Sequence, residues 1–151
     1  MTLYYLDASA WVKRYQQEQG TEWVEQLLRS NAYIACSVLG VVEVCAALGR
    51  RVRGGLMERS VLESLITIVQ TDWQRFLQIE IQSPIIDQSF AIVENYYLRG
   101  ADAVHLASAL SLVHYCSPSD AIIVVASDGE LLRAASEAGL TVINPALLSI
   151  P

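Results

Sequence analysis

The sequence predicts an α/β fold with a central, mostly parallel sheet flanked by helices. Three observations predict it. Short apolar segments alternate with stretches of helical periodicity along the whole chain, the pattern of strands joined by crossover helices. Residues 121–126, Ala-Ile-Ile-Val-Val-Ala, form an unbroken and largely β-branched run, as in a strand covered on both faces. No internal repeat, linker or low-complexity stretch interrupts the alternation, and 151 residues fit a single domain spanning 1–151.

Residues 3–6 read as a short buried strand, followed by a helix from about Ser9 to Tyr15 with Ser9 as its N-cap. Gly20-Thr21 opens a second helix, whose Trp23, Val24, Leu27 and Leu28 share one face and form a core stripe. Residues 32–36 form a second strand, and Ser37 caps a helix running to about Arg53, where Gly54-Gly55 breaks it. A helix over 56–76 places Leu62, Leu65, Ile66 and Val69 at helical spacing. Leu77 to Ile81 alternates with period two, as a half-exposed strand does. Pro84 starts a helix to about Leu98, Arg99-Gly100 ends it, and another runs from Ala101 to Tyr115. After the loop Ser117-Pro118-Ser119 and the strand over 121–126, a helix from Gly129 to Ala138 ends at Gly139, a natural left-handed stop. Residues 141–143 make a last strand before Asn144-Pro145.

Composition narrows the function. The chain is 53% hydrophobic and 17% charged, so it can bury a sizeable core. A net charge of -6 argues against unspecific attraction to nucleic acid, unless bound cations cancel part of it. Cys36, Cys45 and Cys116 include no CxxC pair and lie in apolar contexts, which predicts buried reduced thiols rather than a zinc or disulfide framework. No basic segment followed by an apolar stretch opens the chain. The apolar run from Tyr33 to Gly49 is short for a membrane span and carries Glu43 near its middle. A cytoplasmic protein without a membrane segment is expected.

The informative residues are four acids beside apolar segments. Asp7 ends Leu3-Tyr4-Tyr5-Leu6, and Glu43 is the only charge between Tyr33 and Gly49. Asp102 precedes Ala103-Val104-His105-Leu106-Ala107, and Asp128 follows the 121–126 strand and Ser127. A carboxylate beside buried segments costs free energy unless a cation or hydrogen-bond donors meet it. Asp7 and Asp128 fall beyond the carboxyl ends of strands, where open α/β sheets collect ligands. Glu43 and Asp102 fall near helix starts and could reach the same crevice. Two carboxylates about 4 Å apart repel by roughly 4 kcal/mol at an effective dielectric of about 20. Hard divalent ions such as Mg²⁺ or Mn²⁺ remove that penalty and select oxygen ligands.

The motifs around these acids resemble those of PIN-domain ribonucleases, in particular VapC-type toxins of bacterial toxin–antitoxin pairs. Tyr5-Leu6-Asp7-Ala8-Ser9-Ala10-Trp11 is similar to the family's first motif, with a hydroxyl two residues after the acid. The stretch from Ser37 to Leu48, with Glu43 in a helix, is similar to its second. Ala101 to Ala109 matches the third most closely. Val125-Ala126-Ser127-Asp128-Gly129-Glu130-Leu131-Leu132 and Val142-Ile143-Asn144-Pro145 match the fourth and the ending. The resemblance implies a three-layer PIN-like fold and metal-dependent cleavage of single-stranded RNA, with Mg²⁺ or Mn²⁺ held by Asp7, Glu43, Asp102 and Asp128. It also implies a homodimer and a partner antitoxin. The long helical stretch between Gly54 and Leu77 departs from the family pattern.

Other residues take supporting roles. A pair of ions can clamp the attacking and leaving oxygens of a phosphodiester, and one ion or two are both compatible with four acids. Ser9 and Ser127 could hydrogen-bond the carboxylates, with Ser9 also serving as a cap. Asn144 could anchor the last loop near the site or satisfy a turn. Lys13 and Arg14 are the better candidates for RNA phosphate contact. Arg50, Arg51 and Arg53 suit either that role or a solvated helix end. His105 reads as a packed helix histidine. Two alternatives remain: a metal-dependent phosphatase or phosphotransferase, for which Asp7-Ala8-Ser9 lacks the usual second acid, and a catalytically silent PIN-like module whose acids hold a partner's arginines.

Overall fold

The computed structural model describes residues 1–148. Strands β1 (Thr2–Leu6), β2 (Tyr33–Ser37), β3 (Leu77–Ile79), β4 (Ala121–Val125) and β5 (Thr141–Ile143) form one five-stranded sheet in the order β3-β2-β1-β4-β5, with every pairing parallel. Helices α1 (Ala8–Trp11), α2 (Thr21–Arg29), α3 (Val38–Arg53) and α4 (Arg59–Trp73) serve one face. Helices α5 (Ser83–Tyr96), α6 (Gly100–Ser111) and α7 (Gly129–Glu137) serve the other. Residues 149–151 of the expected domain lie outside the described residues.

The two faces follow from strand periodicity. On β1, Leu3 and Tyr5 enter the core beneath α5, α6 and α7, while Leu6, with Tyr4 packed alongside, enters the core beneath α1 to α4. On β4, Ile122 and Val124 go one way and Ile123 and Val125 the other. A central parallel strand buried on both faces needs apolar residues at every position, which explains the unbroken run.

Strand order positions the site. The chain leaves central β1 for β2 and β3 on one side, then returns to β4 on the other side of β1. Successive connections thus diverge from the carboxyl ends of β1 and β4, opening the switch-point crevice where such sheets bind ligands. Asp7 follows β1 and Asp128 follows β4, and a hydrogen bond of 2.9 Å from Asp7 N to Val125 O ties the ends of the two strands together.

Several boundaries differ from the sequence expectation. Asp7, not Ser9, is the N-cap of α1: its backbone is extended and its carboxylate accepts from Ser9 N. The first helix tightens after Trp11 into a 3-10 turn, Val12–Arg14. The α5 helix ends at Tyr96 because Tyr97 turns left-handed (φ 58°). Arg99 then caps the start of α6 instead of closing α5. Leu112–Tyr115 is a 3-10 turn, β3 stops at Ile79, and α4 begins only at Arg59. The 54–77 stretch is therefore a turn followed by α4, which packs back on α3 and buries Val69. Of the cysteines only Cys36 is fully buried, and all three are free. No helix among the described residues is long and apolar enough to cross a membrane.

Candidate functional site

One cavity of about 690 Å³ is lined by Asp7, Glu43, Asp102 and Asp128, together with Ser9, Ser127, Lys13, Arg50, Arg51 and Arg99. The four acids thus share one space, although they come from four separate elements.

Asp7 is the most enclosed, at 5% exposure. Its Oδ2 accepts from Ser9 N (2.9 Å) and Ser9 Oγ (2.5 Å). Ser9 Oγ in turn accepts from Ser127 N at 2.9 Å, so a single hydroxyl ties the loop after β1 to the loop after β4. Asp7 Oδ1 lies 3.5 Å from His105 Nε2. That nitrogen donates to Glu43 Oε2 at 2.5 Å, and the other ring nitrogen lies 2.8 Å from the Tyr5 hydroxyl. His105 is 1% exposed and Tyr5 is fully buried. The histidine is packed, as expected, but it is also the hub joining two of the acids.

Helix α3 reaches this hub by a tight local arrangement. Ser37 ends β2 and caps α3 by accepting from Leu39 N at 3.2 Å, so the helix starts without a loop. One turn on, Gly40 faces Cys36 and His105, and any Cβ there would strike Cys36 Sγ. Its missing side chain lets Glu43 come within reach of α6.

The other two acids meet at Arg99. Its Nε donates to Asp102 Oδ2 at 3.1 Å and its Nη2 donates to Asp128 Oδ2 at 3.2 Å. Asp128 also caps α7, accepting from Leu131 N at 3.0 Å.

The electrostatics follow from this layout. Burial alone would lower the His105 pKa, but the hydrogen bond to Glu43 and the charges of Asp7, Glu43 and Asp102 outweigh it, so the ring holds its proton more tightly than a free histidine. Asp102 is raised by burial and by repulsion from Asp128 and Asp7, against the lowering effect of Arg99. Burial and the Asp7 charge likewise push up Tyr5, with Cys36 contributing, and Cys36 itself, with Glu43 contributing. The acids therefore sense one another across the cavity.

The groups that could hold a cation are these four carboxylates, a donor set suited to a hard divalent ion. Among the described residues, no three of His, Cys, Asp and Glu are grouped as a metal-ligand cluster. Oxygens of all four acids are turned toward Ser9, His105, Arg99 and the amide of Leu131. The cavity nevertheless already attracts positive charge from two sides, and the Ser127 hydroxyl beside it is buried without a partner. Those features fit a cation.

Two expected residues are not brought there. Arg14 Nε pairs with Asp72 Oδ2 at 3.2 Å, in a partly buried network in which Trp11 Nε1 donates to the Tyr15 hydroxyl and that hydroxyl donates to Asp72. Asn144 accepts from Ala146 N at 3.0 Å and so satisfies the last turn. Lys13 does line the cavity, with Glu18 3.4 Å away, and it is joined there by Arg50 and Arg51 rather than by Arg14. Sequence reasoning missed Arg99 altogether. Its one signal is the spacing of three residues to Asp102 at a helix start, which places the two side chains on one face.

Known proteins resemble this chain in sequence and in fold. Residues 4–137 match the PIN domain family model. The chain is 34% identical to ribonuclease VapC45 of Mycobacterium tuberculosis (strain CDC 1551 / Oshkosh) over 116 residues, covering 74% of this chain and 78% of the relative. Its fold is similar to that of PAE2754 from Pyrobaculum aerophilum, with a TM-score of 0.68 at 18% identity over 93% of this chain and 83% of the other. It is similar as well to a chain of a toxin-antitoxin complex from Klebsiella pneumoniae, with a TM-score of 0.62 at 17% identity, covering 93% and 96%. With a family match across most of its length and a ribonuclease relative of this identity, the chain belongs to the PIN-domain family, as a protein of the VapC type.

Proposed function

We propose that this chain is a Mg²⁺- or Mn²⁺-dependent endoribonuclease that hydrolyses phosphodiester bonds of single-stranded RNA and serves as the toxin of a toxin–antitoxin pair. The observation that carries the reading is the gathering of Asp7, Glu43, Asp102 and Asp128 around one cavity at the switch point of the sheet. The similarity to a ribonuclease VapC supports RNA as substrate, and the likeness to a chain of a toxin–antitoxin complex supports an antitoxin partner. A homodimer, a cytoplasmic location and a single domain over the whole chain belong to the same proposal.

In this reading the four acids hold the cation. A divalent ion, when bound, supplies the positive charge that stabilises the attacking and leaving oxygens of the phosphodiester. The chain's own groups do the rest. Ser9 fixes the Asp7 carboxylate through two hydrogen bonds, and His105 fixes Glu43, so neither ligand must be ordered when the substrate arrives. Lys13, Arg50 and Arg51 on the cavity wall meet the RNA phosphates. Asn144 holds the last turn.

The test is RNA cleavage by purified protein with Mn²⁺ and with EDTA. Asp7→Asn should lower the rate by more than about 100-fold, since even groups that only orient metal ligands cost 10–100-fold. Wild-type rates from the variant, or undiminished cleavage in EDTA, would remove the reading.

A further inference from the structure

Arg99 lies at the open side of the cavity, with its side chain 79% exposed, yet it makes the only ion pairs that Asp102 and Asp128 have among the described residues. One guanidinium spans both carboxylates, one nitrogen to each. A planar fork suits that task, and a carboxylate oxygen so engaged is unavailable to a metal ion. Asp7 and Glu43 are held differently, by the fixed donors Ser9 and His105. Arg99 sits between α5 and α6, just after the left-handed turn at Tyr97, and its long side chain can leave the acids without disturbing either helix.

We infer that Arg99 is an internal counter-cation that competes with the divalent ion for Asp102 and Asp128. It neutralises these two acids while the site lacks metal and must release at least one of them for metal to bind. This rests on the metal-dependent reading above. Once released, the guanidinium stands at the cavity mouth, where it can pair with an RNA phosphate. Arg99 is thus a positioning residue that couples metal entry to substrate entry.

The experiment is calorimetric titration with Mn²⁺ alone, on wild type, Arg99→Gln and Arg50→Gln, with melts of the same proteins. Arg50 lines the cavity without pairing with these acids, so its variant controls for net charge. Arg99→Gln should bind Mn²⁺ about fivefold more tightly, the size expected of two solvent-exposed ion pairs that no longer need breaking. Arg50→Gln should stay within about twofold of wild type, its charge acting only through screened solvent. In EDTA, Arg99→Gln should melt below wild type, because Asp102 and Asp128 then repel unopposed. In saturating Mn²⁺ the two should melt together. Equal Mn²⁺ affinity for wild type and Arg99→Gln would overturn the inference and leave the metal reading intact, as would equal tightening by Arg50→Gln. A melting deficit that persists in Mn²⁺ would mark Arg99 as a plain helix cap. If none of the three proteins binds Mn²⁺, the inference and the proposed function fall together.

Discussion

The two pairs of acids in the cavity are held in opposite ways, and inner and outer name the groups that hold them rather than the acids, since the Glu43 side chain is 33% exposed against 14% for Asp102 and 28% for Asp128. Asp7 and Glu43 are held from within, by Ser9 and by a histidine that is 1% exposed and backed by the buried Tyr5. Asp102 and Asp128 are held from without, by an arginine whose side chain is 79% exposed. Of the inner donors His105 is part of the core and Ser9 is partly buried, so changing the histidine alters folding as well as function. The outer cation lies in solvent, where an ion pair contributes little to stability, so changing it alters mainly the site. Carboxylates facing one cavity thus need not carry equal structural weight.

The sharpest way to break this comparison is His105→Ala. It leaves Glu43 and Asp7 without their shared donor and opens a hole beneath α3. Breaking a fully buried pair costs more, but Glu43 keeps some solvent access, so a loss of about 2–3 kcal/mol is expected. That corresponds to a melting temperature lower by roughly 5–10 °C for a domain of this size. Cleavage should fall by a further 10–100-fold at temperatures where the variant is folded, as for other groups that orient metal ligands. A variant that melts like the wild type would show that the inner half is no more structural than the outer.

Acidity offers a finer test. The folded-state pKa of His105 is raised above its unfolded value, which is about 6.5. Its contribution to stability is therefore fully present below about pH 6.5 and is lost as pH rises through the folded value. Metal-free protein should melt at progressively lower temperature as pH increases from about 6 through neutrality, and His105→Gln should flatten that slope. A melting temperature that rises across this range in wild type would contradict the inner network. Asp102 is also raised, so its contribution is present below about pH 4 and is lost as pH rises through the folded value.

The smallest effect belongs to the outer half. Since the folded state disfavours ionised Asp102, Asp102→Asn should slightly stabilise the metal-free protein near neutral pH. After solvent screening and the lost pairing with Arg99, the gain should be about 1 °C in melting temperature. Mn²⁺ should then raise the melting temperature of the variant much less than that of wild type. A clear destabilisation in EDTA would make Asp102 as structural as Asp7 and Glu43.

Much of this molecule is legible in its residue order. Strand and helix periodicities are local properties, so the alternation of elements, the doubly covered β4 and the core stripe of α2 could be read from residue order. The cost of leaving a carboxylate beside an apolar run is also local, and it singled out Asp7, Glu43, Asp102 and Asp128. Tertiary structure decided which neighbours those acids would have. Sheet order set β1 beside β4 and opened the crevice between them. The absence of a side chain at Gly40 let α3 approach His105. The turn at Tyr97 brought Arg99 to Asp102 and Asp128, whereas Asp72 on α4 drew Arg14 away from the cavity. The physical reason is reach. A long cationic side chain can pair with any acid within several ångströms of its own helix, and only the packing of separate elements decides which acid that is.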